Sequence, residues 1–166
     1  QDAGDEVSAP AWLVAAREDI GLREVRGAPT APKIATWLQR LGAWWKDDET
    51  PWCGTACAAW MVATGIKPPA AWYRAKAWAD WGQPLGGAVN GCIVVFGRQG
   101  GGHVGLVVGE TAGGRLLVLG GNQGDAVSVA AFPRDRVVAY RWPAGQPLPP
   151  LLQLARGDAP LSASEA

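Results

Sequence analysis

The sequence predicts an α+β fold, with helices first and an antiparallel sheet after them. Three observations lead there. Apolar residues recur at helical spacing up to about Gly82, continuous β-branched runs replace them from about Gly91, and glycine clusters separate those runs at hairpin-like intervals. The 166 residues, 48% of them hydrophobic, are enough for one domain with a real core.

Each element has its own signals. Pro10 opens a first helix carrying Trp12, Leu13 and Ala16, with Gly21 where it would stop. A second follows Thr30, with Ile34, Trp37, Leu38 and Leu41 on one face and an end near Gly42. The polar stretch Asp47-Asp48-Glu49-Thr50-Pro51 leads into Trp52-Cys53, where a third helix runs to Gly65 with Ala56, Cys57, Trp60 and Met61 on one side. Residues 70–81 (AAWYRAKAWADW) predict a fourth. About five strands come next: Cys92–Phe96, His103–Glu110, Arg115–Leu119, Ala126–Ala130 and Val137–Trp142. Residues 1–9 and the Pro- and Ala-rich residues 144–166 are expected to be flexible, flanking a domain over 10–143.

Composition excludes several function classes. Lys+Arg and Asp+Glu both number 15, so the chain lacks the broad positive field of nucleic-acid and anionic-membrane binders. No apolar run approaches the ~20 residues of a membrane span. Gln1–Pro10 has neither the basic start nor the apolar core of a signal peptide, and the route of any export stays open. Three cysteines are too few for a disulfide-stapled scaffold, and with a single histidine at no ligand-like spacing they predict no metal site. Ten tryptophans are expected mostly in the core, with a sugar- or peptide-binding platform as the sharper alternative.

One constellation carries chemistry. A thiol hydrolase needs a thiolate, a base beside it and a group that orients the base. Cys53 sits at a predicted helix start, where unsatisfied amides and the dipole favour an anion and can hold an oxyanion. His103 opens a strand after three glycines, and Asn122 ends the next strand, within reach of the imidazole. His103 shares its strand face with Gly105, Val107 and Gly109, and Cys53 shares its helix side with Ala56 and Cys57, so the two elements can approach closely. Asp48 and Glu49 are candidates to bind a substrate ammonium or to cap the Cys53 helix, and Trp52 to wall the cleft. Cys57 and Cys92 are expected to be core thiols.

The order and spacing of Asp48-Glu49-Thr50-Pro51-Trp52-Cys53, Gly102-His103-Val104-Gly105, Leu119-Gly120-Gly121-Asn122-Gln123 and Tyr140-Arg141-Trp142-Pro143 resemble the NlpC-type and CHAP peptidoglycan hydrolases, most closely a phage- and prophage-associated subgroup. Gly54 stands where members of that family often have Ser. The resemblance implies a papain-like fold and cleavage of stem-peptide or cross-bridge amides without a metal or other cofactor. It maps Cys53 to the nucleophile, His103 to the base and Asn122 to the orienting residue. It further implies action at the cell wall or in the periplasm, delivered by secretion or by a phage-like particle. Acyl transfer or deamidation on the same fold, or a non-catalytic wall-binding or particle protein, are the competing functions.

Overall fold

The structure is a computed structural model that describes residues 9–25, 31–45, 51–98, 101–149 and 154–162. It is α+β: α1 (Ala11–Glu18), α2 (Pro32–Leu41) and α3 (Cys53–Ala63) precede a six-stranded, wholly antiparallel sheet. The strands are β1 (Gln83–Pro84), β2 (Ile93–Arg98), β3 (Gly101–Glu110), β4 (Leu116–Gly120), β5 (Ser128–Phe132) and β6 (Val137–Trp142), in spatial order β1-β6-β2-β3-β4-β5.

The helices end where backbone chemistry allows. Pro32 occupies the first turn of α2, where a missing N–H costs nothing, and Gly42 closes it in the left-handed region at φ 78°. Past α3 the chain turns back at Gly65, φ 79°, with the Ile66 amide donating to the Met61 carbonyl. Ile34, Trp37 and Leu38 of α2 and nearly all of α3 from Cys53 to Met61 are buried, with α1 and α2 packed on α3 and α3 packed on β3 and β4. Seven of the ten tryptophans are buried; Trp44, at 87% exposure, is the conspicuous exception.

Four sequence expectations are corrected. Residues 70–81 form turns and a 3₁₀ helix, Ala75–Asp80, instead of an α-helix. The Trp78 and Trp81 indole N–H groups donate to the Trp72 and Lys67 carbonyls, 3.0 Å each, and these non-local bonds draw the chain into tighter turns. The strand expected at Ala126–Ala130 begins only at Ser128. Val127 instead exchanges backbone bonds with Gly21 and Leu22, and Ala126 bridges Arg23. The short β1 adds a sixth strand at the β6 edge. The tail is not wholly flexible: Ala155 and Gly157 bond Glu110, and Pro160 and Ser162 bond Ala131, so residues 154–162 dock on the sheet. Of the predicted flexible N-terminal segment, residues 1–8 lie outside the described residues.

Cys92, just before β2, is fully buried, and desolvation pushes its thiol up to about 12. The folded state therefore holds this proton more tightly than the unfolded chain, whose thiol titrates near roughly 8.5. Its contribution is complete below that value and is lost as pH rises toward 12. Stability should fall there by about 1.4 kcal/mol per pH unit from this group, and Cys92→Ala should flatten the slope in thermal melts run from pH 8 to 11.

Candidate functional site

Cys53 is the first residue of α3. The N-cap is Trp52, whose side chain makes no capping bond, and the first turn carries no acidic residue. Within that first turn, no carboxylate competes with an anion forming on Cys53. The thiol is 5% exposed, so access to it is narrow. Cys57, one turn on, is fully buried; burial and the neighbouring Cys53 charge both raise its pKa, which keeps it a thiol. Of the three free cysteines, the helix-start position belongs to Cys53 alone.

His103 is the third residue of β3, paired with Phe96 of β2. Its buried ring stacks on Phe132 at 5.4 Å and 11°, and lies 6.3 Å from Phe96. At its edge, Nε2 is 2.9 Å from Gln123 Oε1. The orientation of that amide follows from its other bonds. Gln123 Nε2 donates to the Val118 carbonyl at 3.1 Å and the Ser128 carbonyl at 2.7 Å, so the oxygen must face the histidine. A glutamine oxygen only accepts. His103 therefore donates from Nε2, and in the neutral ring the basic lone pair sits on Nδ1.

The side-chain amide bonded to the imidazole is that of Gln123, the chain neighbour of the sequence candidate Asn122. Asn122 itself is 1% exposed and takes the left-handed backbone at φ 59°, which asparagine tolerates better than most residues. The chain turns there, and the next side chain, Gln123, reaches the imidazole. The loop is held from outside, since the Glu24 amide donates to the Asp125 carbonyl and the Glu24 carboxylate accepts from Trp52 Nε1 at 3.0 Å.

Two adjacent glycines tie the histidine to the cysteine helix. A Cβ on Gly120 would lie 3.3 Å from His103 Nε2 and would collide with Gln123 Oε1. A Cβ on Gly121 would lie 2.7 Å from the Ala56 Cβ and 2.9 Å from the Trp52 ring. Consecutive Cα atoms are about 3.8 Å apart, so the imidazole edge and the first turn of α3 rest on neighbouring residues of one backbone. Gly120 and Gly121 allow this approach, whereas of the strand glycines expected to do so, Gly105 faces Val118 and Gly120, and Gly109 faces the Ala155 carbonyl.

No family model, curated protein or solved structure matches this chain.

The remaining candidates divide. Trp52 does not wall a cleft: it is 1% exposed and packed against Gly121 and Trp37, because a large indole before α3 is what fills the space those glycines leave. Asp48 and Glu49 lie outside the described residues. Among the described residues, no group of three or more His, Cys, Asp or Glu side chains could hold a metal, and no helix is long and apolar enough to cross a membrane.

If Gln123 orients His103, Gln123→Ala should lower turnover on the order of 10- to 100-fold, whereas Asn122→Ala should cost less. Gln123→Glu should retain more activity than Gln123→Ala, because its carboxylate can accept the same bond. Steady-state rates of the three variants on one muropeptide check this, and equal rates for Gln123→Ala and wild type would remove Gln123 from the site.

Proposed function

We propose that this chain is a papain-like thiol hydrolase that cleaves amide bonds in the peptide part of bacterial peptidoglycan. The observation that carries the reading is the His103–Gln123 bond, with the Gln123 amide fixed by two carbonyls. That arrangement selects the tautomer in which Nδ1 is the base, on an element packed against the helix that Cys53 begins.

In the proposed reaction, His103 Nδ1 takes the Cys53 proton and the thiolate attacks the scissile carbonyl carbon. Backbone amides at the start of α3 are placed to stabilise the resulting oxyanion. The imidazolium then protonates the departing amine, which leaves a thioester on Cys53. Water, deprotonated by the same histidine, attacks the thioester, releasing the carboxylic acid and restoring the thiol. Gln123 keeps the imidazole in one tautomer and tilt through both steps. The motif order noted in the sequence points to stem-peptide or cross-bridge amides, and that choice of substrate is part of the proposal.

The test is mass spectrometry of muropeptides after incubation with purified protein. The expected result is paired products whose masses sum to that of the substrate plus one water, with one new amine and one new carboxylate. Intact muropeptides together with an undisturbed fold would overturn the reading.

A further inference from the structure

We propose that the aromatic cleft beside the start of α3 binds a pyranose ring of the wall glycan strand, an N-acetylhexosamine. This rests on the wall-hydrolase reading and adds a substrate subsite to it. The cleft, about 710 Å³, is formed by Trp44, Trp45, Trp72, Tyr73, Pro51 and Arg74, with small residues completing it. Its volume lies within the ~300–1,000 Å³ of small-ligand sites.

Three features specify the ligand. The first is the rings themselves. Trp45 is the hub, 5.5 Å from Trp44, 5.8 Å from Trp72 and 5.4 Å from Tyr73. Trp44 stands edge-on to it at 78° and is nevertheless 87% exposed. An indole set edge-on to a neighbouring ring and left in water offers its face to a ligand. The C–H-rich face of a pyranose is the natural complement to the negative face of an indole or phenol.

The second feature is charge. The only charged side chain among the described residues of the cleft is Arg74, whose guanidinium lies over Tyr73 at 5.7 Å. Its guanidinium N–H groups are donors suited to the hydroxyl and acetamide oxygens of such a sugar. The third is continuity with the thiol. Pro51 lies two residues before Cys53, and the Trp72 carbonyl presses on Gly54, held there by Trp78 Nε1 at 3.0 Å. A glycan ring in the cleft would therefore sit beside the place where its attached peptide meets Cys53.

The experiment is calorimetric titration of the Cys53→Ala protein with a β-1,4-linked N-acetylglucosamine tetramer, and separately with a stem peptide lacking sugar. Saturable tetramer binding is expected, weakened about 5- to 10-fold by Trp44→Ala and by Tyr73→Ala. Thermal melts should be unchanged for Trp44→Ala, since that side chain is almost wholly exposed. Absence of tetramer binding, full affinity in both variants, or peptide binding that the two variants abolish would each overturn the assignment. Wild-type hydrolysis of muropeptides is scored in parallel. Tetramer binding without hydrolysis sinks the hydrolase reading and leaves the cleft standing; hydrolysis without tetramer binding does the reverse.

Discussion

Cys53→Ala should reduce hydrolysis by on the order of 10⁴-fold or more while changing stability by less than about 1 kcal/mol. The substitution removes one sulfur from a residue at a helix start, so little packing is lost. The chemistry loses its only nucleophile, and the remaining amides and imidazole cannot form the thioester. Cys57→Ala and Cys92→Ala are expected to keep activity, because both thiols are fully buried and held protonated by desolvation. Initial rates and melting temperatures of the three variants make the comparison. An active Cys53→Ala protein alongside an inactive Cys57→Ala one would mean that the nucleophile is the other thiol of α3.

The second large effect concerns Gly54. Members of the family that this sequence resembles often carry Ser at that place, so Gly54→Ser looks conservative on paper. Here the opposite is expected. A Cβ at position 54 would overlap the Trp72 carbonyl oxygen and approach the Trp72 and Tyr73 carbonyl carbons at 3.3 Å each. The obstacle is backbone, and Trp78 Nε1 already holds that carbonyl in place. Relief requires moving either α3 or the 70–81 segment, at a cost above about 3 kcal/mol. For a chain of this length that corresponds to a fall in Tm of about 10 °C. Calorimetry of Gly54→Ala and Gly54→Ser checks it, and melting within a degree or two of wild type would show that the contact yields easily. Activity should fall too, since Cys53 moves with the first turn.

These two cases show what the sequence could and could not carry. Elements defined by local chemistry were legible: the helix after Thr30 with its stop at Gly42, the α3 span opening at Cys53, and β6, whose predicted range matches the observed Val137–Trp142. Residues 70–81 misled because their geometry is set by indole N–H bonds to distant carbonyls, which periodicity does not encode. Composition likewise said nothing of the backbone bonds that dock residues 154–162 on Glu110 and Ala131. Within the site, a side-chain amide close to His103 was readable in the sequence; the amide bonded to its Nε2 belongs to Gln123, next to the Asn122 turn at φ 59°. The adjacent Gln123, of the same amide chemistry and longer reach, was the available signal. The aromatic cleft had its tryptophans in plain view, but only exposure separates Trp44 from the seven that are buried.

In the proposed mechanism Cys53 is an activated thiol served by His103. Alkylation with iodoacetamide at neutral pH under native conditions, followed by peptide mapping, reads that activation without a substrate. The predicted result is modification of Cys53 alone, slowed severalfold or more in His103→Ala protein of intact fold, with Cys57 and Cys92 labelled only on unfolding. Labelling of Cys57 or Cys92 ahead of Cys53, or a Cys53 rate indifferent to loss of His103, would contradict it.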